Sequence, residues 1–114
     1  MPRDREFLLD ILESARLAIG YVRGMTREAF LADAQCQDAV VRRLEVIGEA
    51  ARRISPPVQA SLPQLPWKAM VGLRNVIAHK YDEIDLSVVW DTAQKDLPSL
   101  VRVLEEVLPP EAEE

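Results

Sequence analysis

The stretch Phe7-Leu8-Leu9-Asp10-Ile11-Leu12-Glu13-Ser14-Ala15-Arg16-Leu17-Ala18-Ile19-Gly20-Tyr21-Val22 decides the fold class. Its residues Phe7, Leu8, Ile11, Leu12, Ala15, Ala18, Ile19 and Val22 recur at the 3.6-residue period of a helix with one apolar face. Gly24 stands where such a helix stops. Outward from it the same period repeats. Thr26 can cap a short turn reaching about Ala32. A second long helix is expected from about Asp33 to Ile54, with Val40, Leu44, Ile47, Ala51 and Ile54 on one stripe. Gly48 lies beside that stripe, and a mid-helix glycine costs about 1 kcal/mol relative to alanine. It therefore marks a close helix approach, with a second subunit as one candidate neighbour.

Ser55-Pro56-Pro57 ends that helix and can begin a short one, because proline fits the first helical position. A proline-rich connector leads to Pro66, which starts a helix carrying Trp67, Met70, Val71, Leu73 and Val76-Ile77. Asp85 is placed to cap a final helix that buries Leu86, Val89, Trp90, Ala93, Leu97, Leu100, Val101, Leu104 and Leu108, with Pro98 kinking or splitting it near Asp96-Leu97. Strand signals are almost absent: there is no Asn-Gly or Asp-Gly turn and no sustained alternation. The expectation is an all-α, antiparallel up-and-down bundle of four main helices. Residues 1–114 form one domain, and a tail frays from about 109 to 114.

Composition narrows the function. Of 114 residues, 48% are hydrophobic and 29% charged, which is globular composition. No apolar run has the length of a membrane span, and the acids near the N-terminus argue against a targeting peptide, so a cytoplasmic location is expected. One cysteine, Cys36, cannot form an internal disulfide. With a single histidine it cannot complete an ordinary zinc site, so no metal and no cofactor are expected. Cys36 reads as a helix-surface or edge residue, far in sequence from any base. The net charge of -5 argues against indiscriminate nucleic-acid binding. Yet Arg42, Arg43, Arg52 and Arg53 form a local basic cluster. It reads first as a solvated helix flank, and functionally as a contact for an RNA backbone or an acidic partner. Glu45 and Glu49 balance charge on that helix. Trp67 and Trp90 read as core anchors.

The chemistry concentrates in Arg74-Asn75-Val76-Ile77-Ala78-His79-Lys80-Tyr81-Asp82. His79 is the only histidine, and its side chain titrates near neutral pH. Asn75 and His79 are four apart and share a helix face. Arg74 and His79 are five apart, about 140° around an ideal helix and about 7.5 Å along it. Tyr81 falls on roughly the opposite side. A compact site therefore needs a helix end near His79 or a second subunit. The set suits metal-free RNA cleavage. The 2′-hydroxyl attacks the adjacent phosphate, a histidine moves the proton, and an arginine braces the growing phosphate charge. Two copies across a dimer would supply both acid and base. A lone histidine near a helix end is also commonly just a solvated cap, so the residues by themselves leave both readings open.

Arg74-Asn75-x-x-x-His79-x-Tyr81 resembles the R-x-x-x-x-H-x-Y motif of the HepT-like proteins of the HEPN superfamily. Ala39-Val40, the run Leu44-Glu45-Val46-Ile47-Gly48-Glu49-Ala50-Ala51, Pro66-Trp67, Tyr81-Asp82 with Asp85, Val89-Trp90 and Leu97-Pro98-Leu100 extend the likeness over about residues 5 to 105. The resemblance implies a HEPN-like helical homodimer whose paired motifs line a cleft. It also implies a metal-independent ribonuclease toxin, with Arg74 and His79 catalytic and Asn75 and Tyr81 supporting. It further implies a nucleotidyltransferase antitoxin of the MNT type, with Tyr81 as the candidate AMPylation target. The alternative is a non-catalytic HEPN module that docks a nucleotidyltransferase or a nucleotide. A third reading is a helical dimer whose motif only buttresses the interface.

Overall fold

The computed structural model describes residues 3–77 and 84–108, with side chains described through residue 73 and again from residue 84. Seven α-helices occur there: α1 Asp4–Val22, α2 Arg27–Leu31, α3 Ala34–Arg53, α4 Pro56–Ser61, α5 Trp67–Ile77, α6 Leu86–Asp91 and α7 Leu97–Val107. A π-helical turn, Thr92–Asp96, joins α6 to α7. No strand occurs among the described residues, and no helix among them is long and apolar enough to cross a membrane.

Local chemistry sets the helix limits. Gly24 has φ 78°, the left-handed conformation that glycine adopts without strain, and turns the chain two residues after α1. The Thr26 hydroxyl accepts from the Ala29 amide at 3.0 Å, and the Asp33 carboxylate accepts from the Cys36 amide at 3.0 Å. Each satisfies an amide donor that the first helical turn leaves free. Ser55 precedes α4 without capping it through its side chain. Its hydroxyl and amide both donate to Asp4, at 2.8 and 2.9 Å. That contact pins the start of α1 to the end of α3, so the two run in opposite directions.

The core is built from the expected stripes. Ile11, Ala15, Ala18, Phe30, Val40, Ile47 and Ala51 are fully buried. Helix α1 packs on α3 and α7, and α3 packs on α5. The Arg43 guanidinium donates to Ser14 Oγ of α1 at 3.2 Å. Gly48, five residues later, lies about 140° round α3 from Arg43. It is buried within the single chain, so its burial needs no second subunit. Trp90 is buried against Phe30, with ring centroids 5.3 Å apart, and Trp67 is half-buried with its indole N–H donating to the Leu62 carbonyl at 2.9 Å. Both act as core anchors. The expected single final helix is instead α6, a π turn and α7 in one continuous helical path. The wider turn closes just before α7, whose second residue is Pro98, where a regular helix would clash with the proline ring. The tail expected to fray, 109–114, lies outside the described residues.

Candidate functional site

The candidate site is approached from the two elements that flank it. Helix α5 starts where the connector is tied back: Gln59 Nε2 donates to the Ile54 carbonyl at 3.0 Å, and Trp67 is fixed on Leu62. Met70 anchors the helix in the core, while Val71 and Leu73 are half-buried against it. Arg74 and Asn75 occupy the last turn of α5, and their side chains lie outside the described residues. Position 74 is one helical step of four beyond buried Met70. Position 75 is about 100° further round. His79 and Tyr81 lie outside the described residues, so the structure does not test whether the four side chains converge.

The chain re-enters the described residues at Ile84. Asp85 accepts from the amides of Ser87 and Val88 at 3.0 and 3.3 Å and so caps α6. Arg27 of α2 donates to Ser87 Oγ, and the Phe30–Trp90 contact clamps α2 to α6. Thr92 Oγ1 donates to the Val88 carbonyl at 2.8 Å. The segment bearing His79 and Tyr81 is thus strung between two held ends, α5 on α3 and α6 on α2. Ile84 and Val88, around the start of α6, are exposed apolar side chains, and Leu31 of α2 is exposed as well.

Two other features lack the chemistry of a catalytic site. A groove of about 360 Å³ between α5 and α7 is lined by Met70, Leu73, Leu97, Leu100 and Val103, with Asp96 its one charged lining residue. An apolar wall carrying an acid does not hold phosphate. Cys36 is half-buried, with its sulfur 3.6 Å from Met25 Sδ and 3.7 Å from the Tyr21 carbonyl. Burial, aided by the Asp33 carboxylate, pushes its thiol above the usual range. A nucleophilic cysteine needs the opposite shift. No group of three or more His, Cys, Asp or Glu placed to hold a metal ion occurs among the described residues.

The basic cluster divides. Arg42 pairs with Glu45 at 3.5 Å, and Arg43 reaches Ser14 inside the bundle. Arg52 and Arg53 are exposed in the last turn of α3. Sequence reasoning did not connect Lys68 with them. It is exposed in the first turn of α5, the helix that packs on α3.

Comparison with known proteins gives a consistent result. Residues 11–107 match the family model described as Ribonuclease HepT-like. A Methanocaldococcus jannaschii protein named as a candidate RNase is 40% identical over 101 residues, covering 89% of this chain and 93% of that protein. A Thermococcus cleftensis protein named as a probable ribonuclease HepT is 38% identical, covering 84% and 87%. A Caldanaerobacter subterraneus protein named as a candidate RNase is 32% identical, covering 95% and 96%. No solved structure matches the chain.

Proposed function

The chain belongs to the ribonuclease HepT-like family, and from that premise we propose that it is a metal-independent endoribonuclease acting as a homodimer, the toxin of a toxin–antitoxin pair. The observation that carries the reading is the family match over residues 11–107, which spans the whole Arg74-to-Tyr81 motif. His79 is the proton-transfer group. Arg74 clamps the phosphate, Asn75 orients, and Tyr81 assists. The 2′-hydroxyl loses its proton and bonds to the adjacent phosphorus. The bond to the 5′-oxygen breaks, and that oxygen takes up a proton, leaving a 2′,3′-cyclic phosphate and a 5′-hydroxyl. One histidine cannot act as base and acid at once, so a facing copy supplies the second proton-transfer group.

Arg74 sits in the final turn of α5, where a cation is favoured by the helix dipole. A nucleotidyltransferase antitoxin that places AMP on Tyr81 would add negative charge and bulk beside the phosphate site and repel RNA. The test is RNA cleavage by the purified protein with EDTA present, beside His79→Ala. We expect cyclic-phosphate ends from the wild type and none from the variant, with fold and dimer retained in both. Equal cleavage by His79→Ala would remove the catalytic assignment. A Tyr81 peptide of unchanged mass after co-expression with a neighbouring nucleotidyltransferase would remove the AMPylation.

A further inference from the structure

We infer that Arg52, Arg53 and Lys68 form an RNA-backbone rail that continues the substrate path away from the cleavage motif. The inference rests on the ribonuclease reading and extends it to residues outside the motif.

Most of the cations among the described residues are already engaged. Arg3 pairs with Glu6, Arg16 with Glu105 and Arg42 with Glu45. Arg27, Arg43 and Arg102 donate to serine hydroxyls, and Arg5 also has a partner. Among the described residues, that leaves Arg23, Arg52, Arg53, Lys68 and Lys95 in no recorded ion pair or hydrogen bond. They fall into two groups at opposite ends. Arg23 follows the end of α1, and Lys95 lies in the π turn whose residues share a small cavity with Arg23. Arg52 and Arg53 lie at the other end, where Asp4 joins α1 to Ser55 and Gln59 of α4 bonds the end of α3, and Lys68 follows Trp67, whose indole bonds Leu62 just past α4. The 19 residues of α1 separate the ends by about 28 Å.

Stability explains only part of the second group. Arg52 and Arg53 at the C-terminal end of α3 complement its dipole. Lys68 does not: it is a cation in the first turn of α5, where the dipole disfavours positive charge and no acid offsets it. Glu49, one turn before the arginines, is half-buried and pairs with neither. An acidic protein thus leaves three exposed cations unneutralised on the two helices nearest its motif. Lys68 precedes Arg74 by six residues, about 9 Å along α5 and about 120° round it, so a strand that meets both must wrap part of the helix. Successive phosphates of a single strand can track that distance, and an electropositive track is how backbone is held without base readout.

The experiment compares wild type, Arg52→Gln/Arg53→Gln/Lys68→Gln and the distant control Arg23→Gln/Lys95→Gln. Cleavage of a single-stranded RNA is measured for each between 50 and 200 mM salt. Binding of the same labelled strand is measured by anisotropy in a His79→Ala background. Each single-strand phosphate contact contributes about 0.7 to the slope of log K against log salt. The triple variant should lose about 2 from that slope, so the affinity gap to wild type narrows roughly 15–20-fold over the salt range. The control should keep the wild-type slope. A wild-type slope in the triple variant overturns the rail while leaving the ribonuclease reading standing. No cleavage by the wild type, with binding intact, overturns the ribonuclease reading and leaves the rail. If the triple variant loses only its hold on a co-expressed acidic protein, the cluster is a protein contact and the RNA rail is wrong.

Discussion

Replacing Phe30 by alanine tests how the far side of the motif is held. Phe30 is fully buried on the short helix α2, with its ring 5.3 Å from that of Trp90 on α6 at an interplanar angle of 36°. Removing a buried phenylalanine ring costs about 3–5 kcal/mol, including the cavity left behind. An aromatic pair accounts for about 0.5–1.5 kcal/mol of that. Helix α2 has five residues and cannot hold itself together without this anchor. A domain of this size has a total stability of about 5–15 kcal/mol, so the change consumes a large share of it. Phe30→Leu keeps most of the volume and loses the ring pair, with an expected cost of about 1–2 kcal/mol. Urea denaturation followed by circular dichroism, at one fixed protein concentration so that any dimerisation contributes equally, gives both values. The α2–α6 clamp is refuted if Phe30→Ala unfolds within 1 kcal/mol of the wild type.

Asp4 supplies a pH dependence. Its carboxylate is held below the usual range by the Ser55 amide first and the Ser55 hydroxyl second, against a smaller opposing effect of burial. A depressed native pKa stabilises above the unfolded value and ceases to do so as pH falls through the folded one. The melting-temperature gap between wild type and Asp4→Asn should therefore be full at pH 6 and shrink steadily below about pH 4; a gap independent of pH would contradict the Ser55 contact. The Cys36 thiol, pushed upward by burial, should react with a disulfide reagent at pH 8 far more slowly in the native protein than in the urea-unfolded one. Equal rates would mean the sulfur is not packed against Met25. Glu105→Gln breaks an exposed 2.7 Å ion pair with Arg16 and should cost under about 1 kcal/mol, less at high salt. A larger, salt-insensitive loss would show that the α1–α7 contact relies on it.

What could be read from sequence follows the range of the interactions. The stripes of α1 and α3, the caps at Thr26 and Asp85, and the glycine turn at Gly24 are determined within a few residues, and each stands where the local pattern puts it, while Asp33, expected at the start of α3, caps it from just outside. Ser55 shows the limit of that reasoning. Its position before Pro56 suggests a cap, but the hydroxyl is taken by Asp4, 51 residues away. Nothing near Asp4 in the chain signals a buried acid. The basic cluster divides by the same rule: Arg42 meets Glu45 three residues on in its own helix, which spacing allows, while Arg43 reaches Ser14, 29 residues away, which only packing reveals. For the motif, sequence supplies the residue types and their spacing on a helix. Arg74 and Asn75 are confirmed in the last turn of α5, and His79 and Tyr81 lie beyond the described residues.

The π turn lies where the buried face of the last helical stretch meets a proline. Val89, Ala93 and Leu97 are each 1% exposed and are separated by two successive steps of four. In a regular α-helix each such step advances about 40°, so Leu97 would stand about 80° round from Val89. An apolar stripe about 100° wide holds both, so this spacing by itself fits a regular helix too. The chain instead makes one turn with i→i+5 bonding, in which the Leu97 amide donates to the Thr92 carbonyl. Leu100 and Leu104 then continue the buried face at regular spacing. Pro98 accounts for the place, since its ring clashes with the carbonyl four residues back and excludes a regular turn there. The proline suggested a kink or a break; the chain instead stays helical from α6 through one wider turn into α7.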